Sequence, residues 1–173
     1  MEVAVNSDRR VLPFLLTVFV IAADQMTKCM IVKLIPEFHI GFSCLDGFFR
    51  IIHARNTAIA FSLGDSMAPG LKVVLFCIIP LAALILLGIF TYRSDSISGV
   101  QRWCLAGIIG GGLGNLVDRF FRPAGVVDFL DVKFYGLFGM ERWPTFNVAD
   151  AAIVVCGVIL ALTFIIPSKA SHK

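Results

Sequence analysis

The chain has 173 residues, of which 58% are hydrophobic and only 16% are charged, and its mean hydropathy is +0.87. This composition excludes an ordinary soluble domain and is typical of a protein embedded in a membrane. The formal net charge is only +3 at pH 7, and no nucleic-acid partner is expected.

Four apolar segments predict transmembrane helices, because a helix needs about 20 mostly apolar residues to cross the hydrocarbon core. Their approximate bounds are 11–32, 73–92, 103–121 and 146–166. The predicted fold class is therefore an all-α integral membrane protein, with residues 1–173 forming one membrane domain. The first span has a competing interpretation, since Arg9 and Arg10 before an apolar run also resemble a cleavable signal peptide. No clear cleavage site follows that run.

The distribution of basic residues predicts that both termini lie in the cytoplasm. With four spans, one side of the membrane carries Arg9, Arg10, Arg93, Arg102, Lys169 and Lys173. The opposite side consists of two longer segments, about 33–72 and 122–145, which would be external. The bias is incomplete, because these segments also contain basic residues.

The external segments have sequence patterns of their own. Residues 47–64 combine β-branched and aromatic residues between two glycines, which indicates short strands or a small sheet. Residues 129–143 are aromatic and amphipathic. We interpret them as a flap near the membrane surface, where Trp and Tyr side chains are favoured.

Carboxylates from four parts of the chain are expected at a similar depth in the outer half of the membrane. With a rise of about 1.5 Å per residue, Asp24 lies about 20 Å and Asp118 about 22 Å from the cytoplasmic side. Asp150 lies about one turn inside the fourth span, and Asp128 lies in the external segment before it. Ionisable groups in a membrane are expensive unless they are paired or face a polar cavity, so they are functional candidates.

Helical spacing relates several of these groups to their neighbours. One stripe of the third span consists of Gly107, Gly111, Asn115 and Arg119. Its glycines permit close helix contact, so the polar end is expected to point inward. Asp24 with Lys28, four residues later, and Asp118 with Arg119 are alternatively structural ion pairs. Asp128 and Asp150 have no basic residue at helical spacing.

Two neighbouring carboxylates in a medium of low dielectric constant cannot both be ionised, so one keeps a proton while the other is charged. This combination suits an aspartic peptidase, in which the charged group activates water and the protonated group donates to the scissile carbonyl oxygen. The spacing alone does not choose between Asp118 and Asp128.

Other functional classes have less support in the sequence. The histidines are scattered without an HExxH motif or zinc-ligand spacing, and no metal or other cofactor is expected. The five cysteines include no CxxC pair and are interpreted as packing residues. A Ser–Lys dyad of Ser62 or Ser66 with Lys72 stays open as an alternative. A small proton-coupled transporter or channel subunit is a further alternative, although no internal repeat is visible.

The sequence contains five short motifs in chain order: "DQMTK", "RNTAIAFS", "GGGLGNLVDR", "GVVDF" and "FNVAD". Together they resemble the bacterial lipoprotein signal peptidases, also called signal peptidase II, over essentially the whole chain. The resemblance implies an aspartic endopeptidase with four transmembrane helices in the bacterial cytoplasmic (inner) membrane, with its active site towards the outer face. The implied substrates are diacylglyceryl-modified prolipoproteins, cleaved before the lipid-modified cysteine. Membrane phospholipids are the other expected partners, and a monomer is expected.

By the matching motifs, the resemblance implies that Asp128 and Asp150 are the catalytic pair. The residues implied to bind the substrate or to support the pair are Asp24, Lys28, Asn56, Gly111, Asn115, Asp118, Arg119 and Asn147. We further hypothesise that Arg119 orders Asp118 and that the flap 129–143 closes over the peptide.

Two departures from the family pattern concern the external segments. The family motif reads approximately N-x-G-x-A-F, whereas Ala58 occupies the glycine position after Asn56. Alanine has less access to positive φ than glycine, so a different local shape is expected. The link from Asp128 to Asn147 is also long for the family, which predicts a flap of different shape.

Overall fold

The computed structural model describes residues 9–56 and 68–165. Its helices are α1 (Phe14–Leu34), α2 (Pro69–Val73), α3 (Ile79–Arg93), α4 (Gly99–Phe121) and α5 (Val148–Ile165). A π-helical turn, Val74–Ile78, joins α2 to α3, and a 3-10 turn lies at Leu137–Gly139. Its strands are β1 (Ile40–Cys44), β2 (Phe49–Asn56) and β3 (Val126–Val132).

Three helical segments within these ranges are long and apolar enough to cross a membrane, namely Arg9–Leu34, Gly70–Arg93 and Val148–Ile165. They agree with the first, second and fourth predicted spans. The predicted third span corresponds to α4, which has 23 residues and carries more polar and charged groups. α4 begins earlier than predicted because Ser98 and Gln101 form a capping box at its N-terminus.

Helix α4 lies at the centre of the bundle and packs against α1, α3 and α5. Its glycines between Gly107 and Gly114 lie at these contacts. A Cβ atom on Gly111 would overlap the carbonyl oxygen of Ala149 in α5, and a Cβ atom on Gly110 would lie 3.0 Å from the backbone of Thr17 in α1. Gly111 thereby lets α4 approach the start of α5 closely.

The strands form one antiparallel sheet in the order β1-β2-β3. Strand β2 agrees with the small sheet predicted within residues 47–64, as far as Asn56. Several predicted features lie outside the described residues: Ala58, Ser62, Ser66, Lys169 and Lys173.

The predicted flap, residues 129–143, differs from the structure at its beginning. Its first residues belong to β3, because Leu130 pairs with Ile51 of β2. Further along, Arg142 forms an ion pair with Asp131 of β3 at 2.6 Å and donates to the Gly47 carbonyl at 3.0 Å. This segment is therefore tied to the sheet along much of its length.

Strand β3 is fixed on the C-terminal end of α1 by its apolar face. Val127 and Phe129 form a buried cluster with Ile31 of α1. Since successive side chains of a strand point to opposite faces, Asp128 points away from this cluster.

Candidate active site

Asp128 is almost fully buried in β3, with 3% of its surface exposed. The Asn56 side-chain amide donates to its Oδ2 at 2.9 Å, and the Asn147 side-chain amide donates to its Oδ1 at 2.7 Å. Burial raises the pKa of Asp128 to about 6, and the nearby Asp150 carboxylate adds to this effect, whereas the two amide hydrogen bonds lower it. Asp128 therefore holds a proton far more readily than an ordinary aspartic acid does.

Asp150 lies in the first turn of α5. Its Oδ1 accepts a hydrogen bond from the Asn115 amide at 2.7 Å, and its Oδ2 accepts one from the Asn147 backbone N–H at 3.1 Å. In return, the Asp150 backbone N–H donates to Asn147 Oδ1 at 3.0 Å. These reciprocal bonds form a capping box, so the residues that start α5 also fix the position of Asp150.

Asn147 connects the two carboxylates. Phe146 and Leu130 of β3 exchange backbone hydrogen bonds of 3.1 and 2.8 Å, and this pairing holds Asn147 beside the strand that carries Asp128. The Asn147 amide also donates to Asn115 Oδ1 at 3.1 Å. Asp128 and Asp150 are thus brought into one site through two asparagine side chains.

A fully buried ion cluster adjoins this site. It consists of Asp24, Lys28 and Asp118, each with 0% exposure. Lys28 Nζ lies 2.8 Å from Asp24 Oδ2 and 3.1 Å from Asp118 Oδ2, and it donates to Asn115 Oδ1 at 3.0 Å. All three ammonium protons therefore have an acceptor. Because Lys28 occupies the oxygen of the Asn115 amide, the N–H of that amide faces Asp150.

The carboxylates of the ion cluster also hold the backbone of both neighbouring elements. Asp24 Oδ1 accepts from the Ala149 N–H, and Asp118 Oδ2 accepts from the Val127 N–H, each at 3.0 Å. Each donor belongs to the residue immediately before one member of the carboxylate pair. The cluster therefore determines how β3 and α5 lie relative to each other at the site.

Two further members of this network were not predicted from the sequence. Gln25 Nε2 donates to Asp118 Oδ1 and to the Gly114 carbonyl, both at 3.0 Å. Arg122 forms an ion pair with Asp118. The spacing of four residues between Asp118 and Arg122 is a helical signal, but Arg122 lies beyond the predicted end of the third span.

Arg119 does not make the hypothesised contact. Its Nη1 donates to the Phe76 carbonyl in the π-helical turn at 3.2 Å, whereas the basic partners of Asp118 in the described ranges are Lys28 and Arg122. Successive residues of a helix point about 100° apart, so Arg119 does not share the inward face of Asp118. The hypothesis that Arg119 orders Asp118 is wrong, and so is the alternative of a structural pair between them.

The arrangement favours general acid–base chemistry. It combines two adjacent carboxyl groups, one of them with a raised pKa, with amide donors that hold each group in position. Within residues 9–56 and 68–165, no group of three or more His, Cys, Asp or Glu side chains is arranged to hold a metal ion.

A comparison with protein families decides the class of the protein. The family model described as Signal peptidase (SPase) II matches residues 16–166. The chain belongs to the signal peptidase II family. Members of this family are membrane-integral peptidases that process lipoproteins. Membership therefore also decides against the transporter alternative.

Individual signal peptidases agree with this classification. The lipoprotein signal peptidase of Treponema pallidum (strain Nichols) is 44% identical over 158 residues, which cover 91% of this chain and 85% of that protein. That of Borrelia turicatae (strain 91E135) is 42% identical over 160 residues, which cover 92% of each. A bacterial membrane enzyme solved by the in meso method at 1.9 Å resolution has a TM-score of 0.75 and 26% identity, with 91% of this chain and 94% of that chain covered.

Proposed function

We propose that this signal peptidase II is an aspartic endopeptidase that removes the signal peptide from diacylglyceryl-modified prolipoproteins by cleaving before the lipid-modified cysteine. The observation that carries the proposal is the pair of carboxyl groups of Asp128 and Asp150, which are linked through Asn147. No cofactor is required, because both proton-transfer roles are available within the pair.

In the first step, Asp128 holds the shared proton and Asp150 is charged. Asp150 takes a proton from a water molecule, and the water oxygen attacks the scissile carbonyl carbon. Asp128 donates its proton to the carbonyl oxygen, which gives a neutral tetrahedral diol. Burial of Asp128 supports this assignment, because burial raises its pKa to about 6.

In the second step, the carbon–nitrogen bond breaks. The leaving nitrogen takes the proton that Asp150 received from water, and one diol hydroxyl returns its proton to Asp128. The products are a carboxyl group on the signal peptide and an amine on the lipid-modified cysteine. Both carboxyl groups of the pair then have the protonation states with which they began.

We also propose that α4 crosses the membrane, which gives four transmembrane helices in total. Both termini are then cytoplasmic. Its 23 residues correspond to about 34 Å, which exceeds the hydrocarbon thickness of about 30 Å. The ion pairs of Asp118 with Lys28 and Arg122 support this placement, since charges in a span need partners. With this topology, the carboxylate pair of Asp128 and Asp150 lies towards the outer face of the membrane. We propose further that the protein acts as a monomer surrounded by phospholipid.

The proposed specificity is tested with the purified protein in lipid and two forms of one prolipoprotein, one diacylglyceryl-modified at its cysteine and one unmodified. We expect cleavage of the modified form, and mass spectrometry should place the new amino terminus at the modified cysteine. Equal cleavage of both forms, or cleavage at another bond, would contradict the proposed specificity. Absence of any cleavage would contradict the proposed activity.

The pH dependence of cleavage tests the role of Asp128. Activity that requires protonated Asp128 falls as the pH rises through its pKa of about 6. Asn56→Leu removes a hydrogen bond that lowers this pKa, so the alkaline limb of kcat/KM should move to higher pH by about one unit. Arg55→Met is the matched control, because Arg55 is the neighbouring residue in β2 and pairs with Glu37. A shift to lower pH in Asn56→Leu would refute this role.

A further inference from the structure

A cavity of about 240 Å³ lies beside the carboxylate pair, and the mechanism above does not use it. Its wall is formed by α2 and the π-helical turn, by the C-terminal end of α4 and by the start of β3. Three cationic side chains line it, those of Lys72, Arg119 and Arg122, and no carboxylate is among its described lining residues. The cavity is therefore suited to an anion.

Two of these cations have donors available for a ligand. Within the described ranges, Lys72 forms no ion pair. Arg119 is exposed and donates from Nη1 to the Phe76 carbonyl, which leaves its other guanidinium N–H groups for a ligand. Arg122 is committed to Asp118 and contributes mainly its positive charge.

The cavity is connected to the carboxylate pair through Asn56. Asn56 lines the cavity and donates to Asp128 Oδ2 at 2.9 Å. Val126 also lines the cavity and precedes Asp128 by two residues, a distance of about 7 Å along the strand. The part of the cavity wall that Asn56 and Val126 form therefore lies next to Asp128.

Peptide hydrolysis creates a negative charge at this place. The scissile amide is neutral. After the water oxygen has bonded to its carbonyl carbon and the carbon–nitrogen bond has broken, the new carboxylic acid loses its proton to solvent. The resulting carboxylate is repelled by the charged member of the pair and attracted by the cations.

We infer that the cavity between Lys72, Arg119 and Arg122 binds the new C-terminal carboxylate of the cleaved signal peptide. This inference rests on the proposed function. Phe76 and Val73 line the same cavity and provide apolar contact for the last side chain of the peptide. The cavity thus serves the product and has no charge to recognise in the intact substrate.

The experiment compares two synthetic peptides that correspond to the C-terminal eight residues of the assay substrate's signal peptide. One ends in a carboxylate and the other in a carboxamide, and each is measured as a competitive inhibitor of cleavage in a neutral detergent. In the wild type, the carboxylate peptide should bind about tenfold more tightly than the carboxamide peptide, since only the carboxylate forms a hydrogen bond between charged groups. Lys72→Met should reduce this ratio to about two, and Lys72→Arg should restore it.

Lys33→Met is the matched control, because Lys33 is an exposed cation near the end of α1 and does not line the cavity. It should keep the wild-type ratio. Equal inhibition by both peptides in an active wild type would overturn this inference alone. A Lys72→Met variant that weakens both peptides equally would also overturn it. A wild type that cleaves no lipid-modified prolipoprotein would overturn the proposed function, and this inference with it.

Discussion

Asp128→Asn and Asp150→Asn should each lower the kcat for cleavage of a lipid-modified prolipoprotein by about 10³-fold or more, while the protein remains folded. Asparagine keeps the size of the side chain but neither holds nor accepts the transferred proton. Both carboxyl groups accept hydrogen bonds from amide donors, and an asparagine carbonyl oxygen still accepts one of them. The variants therefore remove the proton transfer more than they remove the packing.

Variants of two other buried carboxylates are the controls that distinguish a loss of catalysis from a loss of structure. Asp131 lies in the same strand as Asp128, is 4% exposed and pairs with Arg142. Its side chain has no described hydrogen bond to either member of the carboxylate pair, so Asp131→Asn should keep kcat per folded molecule within about threefold of the wild type. Asp118→Asn should lower stability, because Asp118 pairs with Lys28 and holds the Val127 N–H.

The measurement is the initial rate of cleavage, divided by the amount of folded protein determined by size-exclusion chromatography and circular dichroism. A folded Asp128→Asn variant with nearly normal kcat would refute the assignment of the pair. Loss of kcat in Asp131→Asn equal to that in Asp128→Asn would show that the assay reports on burial of charge in β3 rather than on proton transfer.

The sequence predicts the helices of this protein well, because membrane spans depend on local apolarity. It also predicts that Asp24 and Lys28 lie together, since residues four apart on a helix face the same side, and the structure confirms this ion pair. Gly107, Gly111 and Asn115 of the predicted stripe do face the neighbouring helix α5, whereas Arg119 at its polar end is exposed. Such contacts follow from periodicity within a single segment.

The contacts between segments were harder to predict. Acidic residues are uncommon in strands, and "VVDFLDV" does not alternate between apolar and polar residues, so it carries no clear strand signal. Asp128 and Asp131 are stabilised in β3 by partners from other segments. The hypothesis about Arg119 is wrong because residues that are adjacent in sequence do not share a face of a helix. The role of Asn147 depends on the pairing of Phe146 with Leu130, which has no local signal.

Lys28→Met should destabilise the protein by about 3–5 kcal/mol, the usual effect of removing one partner from a buried ion pair. Lys28 is fully buried and is the common partner of Asp24, Asp118 and Asn115. Its loss leaves Asp24 without a cation within reach in the described ranges, while Asp118 keeps Arg122. The measurement is the apparent unfolding temperature in one detergent at a fixed scan rate, because membrane proteins often unfold irreversibly.

The double variant Lys28→Met with Asp24→Asn distinguishes the two effects of Lys28. The asparagine introduced by Asp24→Asn is neutral and its oxygen still accepts the Ala149 N–H, so stability should recover by about 1–3 kcal/mol relative to Lys28→Met alone. Cleavage should stay low, because Asn115 Oδ1 then keeps only the Asn147 amide as a donor and the Asn115 amide is held less firmly towards Asp150. Recovery of stability without activity would establish Lys28 as a positioning residue for the carboxylate pair. Recovery of both would mean that Lys28 only balances charge, and an unchanged unfolding temperature in Lys28→Met would mean that the ion cluster is accessible to water.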